Sequence, residues 1–289
     1  MTSAVGAEPV GAALQWGRET LLPSATASLD AQLLLGHVLR RSRAWILAHA
    51  EEAISATEWE VYADLIFRRS RGEPVAYLRG FVEWFDTELR VTKDVLIPRP
   101  ETELLVEQAT ELVARHHAQV LADVGTGSGA IAIQLARSAP GTTVYAIDVC
   151  PEALDVARWN VNKYGLQDQV VLQHADLLSG LSKRPDEIVA NLPYLAREMM
   201  AELDRDVRHE PVSALFGGED GLELYRRMFD QIRDRGWTLA MAMEIDPRQA
   251  TRMTALLARY FPTGLVRLVQ DYAGHVRIVV FEPKRCRND

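Results

Sequence analysis

A chain of 289 residues is longer than one typical domain, so two domains, or one domain with a substantial extension, are expected. Hydrophobic residues make up 48% of the sequence and charged residues 25%, and the formal net charge of -8 argues against stable binding to a nucleic-acid backbone. No apolar run reaches about eighteen residues, and the N-terminus does not show a basic region followed by an apolar one, as a signal peptide would. We therefore expect a soluble cytoplasmic protein without membrane attachment.

Residues 1–80 are predicted to form a small helical domain. Apolar residues recur at helical spacing in two runs, LLLGHVL and WEVYADLI, and no convincing strand is present. Ser28 precedes the first run and Ser55 or Thr57 precedes the second, which suits helix N-caps.

A β-hairpin linker is predicted for residues 81–98, where the sequence FVEWFDTELRVTKDVLI alternates and is β-rich. Asp86 and Thr87 are the predicted turn between its two short strands. Pro98 and Pro100 then stop the second strand, and helical periodicity resumes.

Beyond the linker, strand and helix signals alternate as in a parallel sheet covered by helices on both faces. Strands are predicted at residues 120–124, 143–148, 170–174, 188–191 and 238–245, and helices at 130–137, 151–164 and 222–235. The last two strands, joined by a short connection containing Gly274, are predicted to pair antiparallel. Residues 99–289 are therefore predicted to be an α/β domain, with a disordered tail from Lys284 to Asp289.

A glycine-rich turn, DVGTGSG at residues 123–129, joins the first predicted strand of this domain to a helix. Glycine permits a tight turn and a close approach to a ligand, and the helix N-terminus offers N–H donors, so a nucleotide-like cofactor is expected. Asp148, at the end of the second strand, is placed to accept both hydroxyls of a ribose. Because Gly125, Gly127 and Ala130 also fit the dinucleotide pattern, the turn alone leaves NAD and S-adenosylmethionine open.

Two later signals favour S-adenosylmethionine. Asp176 follows the third strand and could accept from an adenine amino group, although a loop aspartate is commonly a turn former. Asn191, Leu192, Pro193 and Tyr194 follow the fourth strand, at the edge where open α/β sheets hold their ligands. Nicotinamide chemistry gives no reason for such a cluster, whereas methyl transfer to a planar nitrogen does.

The cluster suits an amide nitrogen because a delocalised lone pair attacks a methyl group poorly. The Asn191 side-chain oxygen and the Leu192 carbonyl could each accept one N–H bond, which would orient the nitrogen and favour its developing positive charge. Tyr194 would supply a flat apolar wall, and no metal or strong base is required. A purely structural alternative is that Asn191 caps and Pro193 ends a turn.

No metal site is predicted. Cys150 and Cys286 are far apart and form no CxxC pair. His116 and His117 are adjacent, but the sequence has no HExxH motif.

The sequence resembles the release factor glutamine methyltransferase family, also called HemK or PrmC, over nearly its whole length. The resemblance lies in RGEPVAYLRGFVEWFD, VLIPRPETELLVE, DVGTGSGAIAI, IDVCPEALDVARWN, HEPVSALFGGEDGLELYRRM and MEIDPRQA. The run IPRPETE is specific to that family. The resemblance implies a helical domain at residues 1–80 that helps to grip a protein substrate, the hairpin linker at 81–98, and a Rossmann-like class I methyltransferase domain at 99–289, with a mostly parallel sheet and an antiparallel last strand.

The resemblance also implies the reaction. S-adenosylmethionine would methylate the side-chain amide nitrogen of the glutamine in the Gly-Gly-Gln loop of class 1 peptide chain release factors, leaving S-adenosylhomocysteine. The cofactor-binding residues predicted from the motifs and the resemblance are Asp123, Gly125, Thr126, Gly127, Ser128, Gly129, Asp148, Asp176, Leu177 and Asn191. The predicted catalytic residues, which would hold the substrate glutamine, are Asn191, Leu192, Pro193 and Tyr194. Arg99, Glu101 and Thr102 would lie near the active site. For Glu101 and Thr102, a structural role in capping the helix N-terminus is an equal alternative.

One departure from the family pattern bears on activity, because the usual Asn-Pro-Pro-Tyr is Asn-Leu-Pro-Tyr here. Leu192 keeps a carbonyl but lacks the ring that fixes φ, and it adds an N–H. Pro193 still biases Leu192 to extended geometry, so reduced or retained activity is expected rather than loss. Asp246, where the family often has glycine, is a second difference, and His209–Pro211 are expected mainly to support the pocket.

Three other functions fit part of the pattern. A methyltransferase for a glutamine of a large-subunit ribosomal protein would share the catalytic cluster and differ in its N-terminal domain. An adenine-N(6) nucleic-acid methyltransferase could hold its amino group in the same way, although the net acidity argues against it. The third alternative is a non-catalytic cofactor-binding protein, in which Leu192 would mark the loss of a functional catalytic site. We expect a monomer acting on a release factor.

Overall fold

The computed structural model describes residues 8–284, and these form two compact units. The first unit comprises residues up to Phe81 together with Asp204–His209, and the second comprises Val82–Leu203 and the residues from Glu210 onward. Cys286 and the predicted disordered tail beyond Lys284 lie outside the described residues.

The first unit is mainly helical, with an apolar core that includes Leu34, Leu35 and Ile66. Its helices are α1 (Val10–Thr20), α2 (Ala27–Leu39), α3 (Arg43–Ala48), α4 (Ala56–Ser70) and α5 (Val75–Arg79). The strands β1 (Glu8–Pro9) and β2 (Ala53–Ile54) pair antiparallel, so the prediction of no strand here was wrong. Strands of two residues are too short to produce an alternating pattern.

One of the predicted helix caps is observed. Ser55 is the N-cap of α4, where its hydroxyl accepts from the Glu58 N–H and the Glu58 carboxylate accepts from the Ser55 N–H, which is a capping box. Ser28 lies inside α2, whose N-cap is Thr26, so that predicted cap was wrong. The helix begins before the apolar run on which the prediction depended.

The linker contains a two-stranded sheet of β3 (Phe81–Trp84) and β4 (Thr87–Arg90). The turn lies one residue earlier than predicted, because Phe85 adopts a left-handed φ of 49° and Thr87 is already in β4. The Thr87 hydroxyl donates to the Trp84 carbonyl at 2.6 Å, which closes the turn.

The second unit is an α/β structure around a seven-stranded sheet, as far as the described residues show, in the order β10-β11-β9-β8-β5-β6-β7. Its strands are β5 (Val120–Val124), β6 (Thr143–Asp148), β7 (Val170–His174), β8 (Glu187–Ala190), β9 (Ala240–Glu244), β10 (Gly264–Gln270) and β11 (Val276–Pro283). β11 runs antiparallel to both of its neighbours, and the other pairs are parallel. The predicted fold class, a mostly parallel sheet with an antiparallel last strand, is confirmed.

The helices of this unit are α6 (Glu101–His116), α7 (Ala130–Ser138), α8 (Pro151–Lys163), α9 (Glu223–Asp234) and α10 (Ala250–Tyr260). Short 3-10 turns of this unit lie at Arg197–Ala201, Val212–Ala214 and Pro247–Gln249, and a further one, Val207–His209, belongs to the first unit. No element is predicted for α10, although its buried residues Met253 and Leu257 have helical spacing. Among the helices of residues 8–284, none has the length and apolar character needed to cross a bilayer.

Alternate residues of β5 pack into two different apolar cores. Leu121 packs with α6 and α7 in one cluster, whereas Ala122 and Val124 pack with α9 and α10 in the other. Successive side chains of a strand point to opposite faces, so the sheet is covered on both sides. Because β5, β6, β8 and β9 are parallel, their carboxyl ends meet at one edge, where the polar residues that follow them are brought together.

Candidate active site

A cavity of about 460 Å³ opens at this edge of the sheet, a size typical of small-ligand sites. Its lining includes the sequence-predicted residues Gly125, Thr126, Gly127, Ser128, Asp148, Asp176, Leu177, Asn191, Leu192 and Pro193. The other predicted site residues, Asp123, Gly129 and Tyr194, lie outside this lining.

The glycine-rich turn passes beneath the cavity in a conformation that needs glycine. Gly125 and Gly127 have φ values of 79° and 54°, in the left-handed region that L side chains rarely adopt. A Cβ on Gly125 would lie 3.1 Å from the Leu192 side chain, so the turn also packs closely on the residue that follows Asn191. The N–H groups of Gly125 and Thr126 both donate to the Ile147 carbonyl at 2.9 Å, which fixes the turn to β6.

Asp123 holds the turn from below. Its side chain is fully buried, and its Oδ2 accepts from the Thr126 hydroxyl at 2.6 Å and from the Ala132 N–H at 3.1 Å. Burial raises the pKa of Asp123 to about 7, although these two hydrogen bonds oppose the shift. The observed contacts are structural ones, and a direct role in cofactor binding stays a prediction.

Asp148 faces the cavity from the end of β6. Its Oδ2 accepts from the Gly127 N–H and its Oδ1 from the Cys150 N–H, both at 2.9 Å. Burial raises the pKa of Asp148, while those backbone hydrogen bonds favour the charged form. A carboxylate carries about four acceptor positions, so these hydrogen bonds leave capacity for a ligand hydroxyl.

The residues after β7 form the side of the cavity next to α9. Leu177 adopts a φ of 54°, which is uncommon for a residue with a branched side chain and occurs mainly where the surroundings enforce it. The Asp176 carboxylate forms an ion pair with Arg227, a cavity-lining residue of α9. Sequence reasoning missed Arg227, because nothing in the α9 pattern distinguishes it from other exposed arginines.

Asn191 follows β8 at the rim of the cavity. Its side-chain Nδ2 donates to the Thr102 hydroxyl at 3.2 Å, so α6 fixes the orientation of the carboxamide. Thr102 is buried, and the N-cap of α6 is Pro100 without a side-chain cap, so Thr102 acts here as an acceptor for Asn191 and not as a helix cap.

Leu192 is buried beneath the glycine-rich turn. Near it lies the hydroxyl of Tyr225, a fully buried residue of α9. The same hydroxyl lies 2.5 Å from the Glu244 carbonyl oxygen and 3.2 Å from that of Ala190. Tyr225 thus ties the end of β8 to the end of β9, a connection that sequence reasoning missed.

Tyr194 is held at both ends. Its hydroxyl donates to Glu244 Oε1 at 3.2 Å, and its carbonyl accepts from Gln249 Nε2 at 2.7 Å. Burial raises the pKa of Tyr194, and the adjacent Glu244 carboxylate adds to the effect, so the phenol stays protonated. Its predicted role as a flat wall for the substrate stays a prediction.

A glycine-containing segment at residues 215–221 supports these residues from outside the sheet. The Leu195 N–H donates to the Leu215 carbonyl and the Gly217 N–H donates to the Leu195 carbonyl, each at 2.9 Å. Gly217 and Gly221 lie directly against the backbone of Pro193 and Tyr194. The resemblance included this segment, but its contact with Tyr194 could not be inferred from the sequence.

The IPRPETE run ends near the same cavity. The Arg99 guanidinium pairs with the buried carboxylate of Glu210, which also accepts from the Ile97 N–H at 3.0 Å. Glu210 therefore anchors the segment that leads into α6. Among residues 8–284, no group of three or more His, Cys, Asp or Glu side chains is arranged to hold a metal ion.

Comparisons with known proteins agree with this geometry. The PrmC N-terminal domain model matches residues 12–80, and the methyltransferase small domain model matches residues 100–210. A release factor glutamine methyltransferase of Dictyoglomus turgidum is 32% identical over 278 residues, covering 94% of this chain and 98% of that protein. A second, of Moorella thermoacetica, is 38% identical over 253 residues, covering 86% and 89%.

The structural likeness concerns the fold. The crystal structure of the hMettl16 catalytic domain in complex with the MAT2A 3'UTR hairpin 6 matches with a TM-score of 0.57 at 14% identity, covering 82% of this chain and 86% of that chain. At this identity the likeness shows a shared fold and no more. The full-length sequence similarity goes further, and on that basis the chain belongs to the release factor glutamine methyltransferase family.

Proposed function

We propose that this protein transfers a methyl group from S-adenosylmethionine to the side-chain amide nitrogen of the glutamine in the Gly-Gly-Gln loop of a class 1 peptide chain release factor. The observation that carries the proposal is the position of Asn191, whose carboxamide is fixed by Thr102 at the rim of the cavity beside the glycine-rich turn. The names of the related proteins supply the substrate class.

The residues around the cavity fit the cofactor. Asp148 presents a carboxylate for the ribose hydroxyls, and the turn at Gly125–Gly129 leaves the ligand close access to the backbone. Asp176 and Leu177 line the place where the adenine is expected. Bound S-adenosylmethionine supplies an electrophilic methyl group on its sulfonium.

The chain's own contribution to the chemistry is to orient an amide that is a poor nucleophile. The Asn191 oxygen and the Leu192 carbonyl would each accept one of the two N–H bonds of the substrate amide. Both interactions strengthen as positive charge develops on the nitrogen, so they lower the barrier more than they favour substrate binding. Pro193 and Tyr194 would complete the wall around the amide.

We further propose that the parts of the chain divide this work as the family resemblance implies. Residues 1–80 would recognise the release factor, and residues 81–98 would connect them to residues 99–289. Residues 99–289 would bind the cofactor and catalyse the reaction. The family-model matches at 12–80 and 100–210 support this division. The protein would act as a monomer in the cytoplasm, where release factors function.

The Asp148→Ala variant is expected to bind S-adenosylmethionine roughly tenfold to 100-fold more weakly, because it loses the ribose acceptor and the partner of the Gly127 N–H. Isothermal titration calorimetry measures this directly. Asp186→Ala is the matched control, since Asp186 also accepts two backbone N–H groups, those of Gln119 and Val120, but at the amino end of β5. Equal dissociation constants for the two variants would contradict the assignment of Asp148.

The Leu192→Pro variant is expected to raise kcat about twofold to fivefold, because the proline ring restricts the backbone that presents the second acceptor. Leu192→Ala is the control, since it removes the same buried side chain beneath Gly125 without fixing φ. Single-turnover methyl transfer would measure both. A proline variant no faster than wild type would show that backbone freedom at Leu192 does not limit the reaction.

The proposed function is tested by incubating a purified release factor with this protein and S-adenosylmethionine and reading the glutamine-containing loop peptide by mass spectrometry. One added methyl group on that glutamine is expected. An unmodified peptide, alongside clear cofactor binding, would overturn the proposed substrate. Parallel reactions with large-subunit ribosomal proteins and with adenine-containing nucleic acid would then identify which alternative substrate is methylated.

A further inference from the structure

One face of α9 binds the loop that follows β7. Arg227 and Gln231 are four residues apart, so they lie one above the other on the same face of the helix. Arg235, the C-cap of α9, continues this spacing, and we call the three residues the α9 stripe. The loop, residues 176–181, contributes to the lining of the cavity. The proposed chemistry assigns no role to any residue of the stripe.

The centre of the stripe holds the backbone on both sides of Leu177. The Gln231 side-chain oxygen accepts from the Leu178 N–H at 2.7 Å, and its Nε2 donates to the Asp176 carbonyl at 3.4 Å. Leu177 lies between these two hydrogen bonds with a φ of 54°, a conformation that an L side chain adopts mainly where its surroundings enforce it. One carboxamide thus supplies backbone partners that keep the loop in this conformation.

The two ends of the stripe hold the two ends of the loop. Arg235 donates to the carbonyls of Leu181 at 3.0 Å and Ser179 at 3.3 Å. At the other end, the Arg227 guanidinium pairs with Asp176 Oδ2. This ion pair engages one oxygen of the carboxylate and leaves the second, Oδ1, to accept from a ligand.

The orientation of Asp176 matters because a carboxylate can only accept hydrogen bonds. The exocyclic amino group of adenine is a donor, so it matches such an oxygen. A 6-oxo purine presents a carbonyl oxygen at the same position, and two acceptors that face each other repel. A carboxylate held in place therefore rejects the 6-oxo base, whereas a mobile one can turn away to solvent and discriminates less.

We propose that the α9 stripe determines the base specificity of the cofactor site, because it fixes the 176–181 loop so that Asp176 selects adenine over a 6-oxo purine. Arg227 and Gln231 act through Asp176, so they are positioning residues. The inference rests on the proposed function, in which Asp176 and Leu177 line the place of the adenine.

Isothermal titration calorimetry with two ligands tests the proposal without a methyl acceptor. S-adenosylhomocysteine carries the amino group, and its 6-oxo analogue S-inosylhomocysteine carries a carbonyl oxygen instead. Wild type is expected to bind the first ligand roughly tenfold to 100-fold more tightly, the range of one hydrogen bond to a charged group. Asp176→Asn should abolish this preference, since a carboxamide donates as well as accepts. Arg227→Met and Gln231→Leu should each reduce the preference to less than about threefold.

Arg233→Met is the matched control for these variants. Arg233 is an exposed arginine of the same helix, and its guanidinium pairs with Asp230 and Asp234 within α9 and its C-terminal end. The control should keep the preference of wild type. If Arg227→Met and Gln231→Leu weakened both ligands equally, the stripe would only stabilise the loop and the proposal would be overturned. Equal binding of the two ligands to wild type would overturn it as well.

Amide hydrogen exchange in the ligand-free protein tests the positioning itself. The Leu178 N–H, which donates to Gln231, should exchange at least about tenfold faster in Gln231→Leu than in wild type, and at the wild-type rate in Arg233→Met. Unchanged exchange at Leu178 in Gln231→Leu would contradict the role of the stripe.

Neither measurement involves a release factor, so this inference and the proposed substrate fail separately. If the base preference behaves as expected but no release-factor glutamine is methylated, the role of the stripe stands and the proposed substrate is wrong. If the glutamine is methylated but wild type shows no base preference, the role of the stripe is wrong and the proposed function stands.

Discussion

Replacement of Asn191 by alanine is expected to lower kcat for methyl transfer on the order of 100-fold to 1000-fold, the loss typical of removing one preorganised group that stabilises developing charge. The Asn191 carboxamide supplies one of two proposed acceptors for the substrate amide, and Thr102 already holds it in place before substrate arrives. Binding of S-adenosylmethionine should weaken by less than about tenfold, because Asp148 and the glycine-rich turn are unchanged. Single-turnover kinetics and calorimetry separate the two effects.

The matched control for this prediction is Asn162→Ala. Asn162 lies on α8 with an exposed side chain, so the same chemical deletion there should leave both kcat and cofactor affinity at wild-type values. If Asn191→Ala retained more than about a tenth of wild-type kcat, the loss would be below the effect typical of such a group, and Asn191 would not be the principal acceptor.

The Gly221→Ala variant is expected to lose on the order of 100-fold in kcat and about 3 kcal/mol in free energy of unfolding. Gly221 has a φ of 75°, and a Cβ there would lie 2.1 Å from the Tyr194 carbonyl oxygen and 2.2 Å from Gln249 Nε2. Those two atoms form the 2.7 Å hydrogen bond that fixes Tyr194. The methyl group must push them apart, and a displacement of about 1 Å in a residue that orients the substrate is costly.

Gly236→Ala is the control that separates the effect of backbone strain from the effect of the steric clash at Gly221. Gly236 also has a left-handed φ, of 61°, but a Cβ there would meet nothing within 4 Å. The control should lose about 1 kcal/mol of stability and retain full activity. Urea unfolding and methyl-transfer assays on the two variants give the comparison. Similar kinetics for both would show that the segment at 215–221 does not position Tyr194.

The order of the helices and strands could be predicted because the residue pattern of each segment indicates its own secondary structure. The strands β5, β6 and β7 have the predicted bounds, since runs rich in valine and isoleucine end at turn residues there. The strand predicted at 238–245 was too long at both ends, since β9 spans Ala240–Glu244. At its end, Ile245 is fully buried although it lies outside the strand. An apolar residue indicates burial and not strand pairing, and the chain stays buried beyond the last paired residue of this strand.

The part of the cavity lining that lies at the strand ends was also predictable. Glycines at a strand-to-helix turn, an aspartate at the next strand end and a polar cluster after a further strand are local patterns with local reasons. In a parallel sheet the ends of such strands meet at one edge, so the patterns predict one site without coordinates. Arg227 could not be predicted in this way, because it reaches the site from the face of a helix.

The sequence by itself therefore determined the fold class, the glycine-rich turn, the acid that faces the cavity and the cluster from Asn191 to Tyr194. The tertiary structure alone decided which partner each buried polar group takes. Thr102 and Asn191 are 89 positions apart, and Tyr194 and Glu244 are 50 apart, so no local pattern connects either pair. A buried donor or acceptor must find a partner, but the packing of α6 and β9 beside the end of β8 determines which partner is within reach.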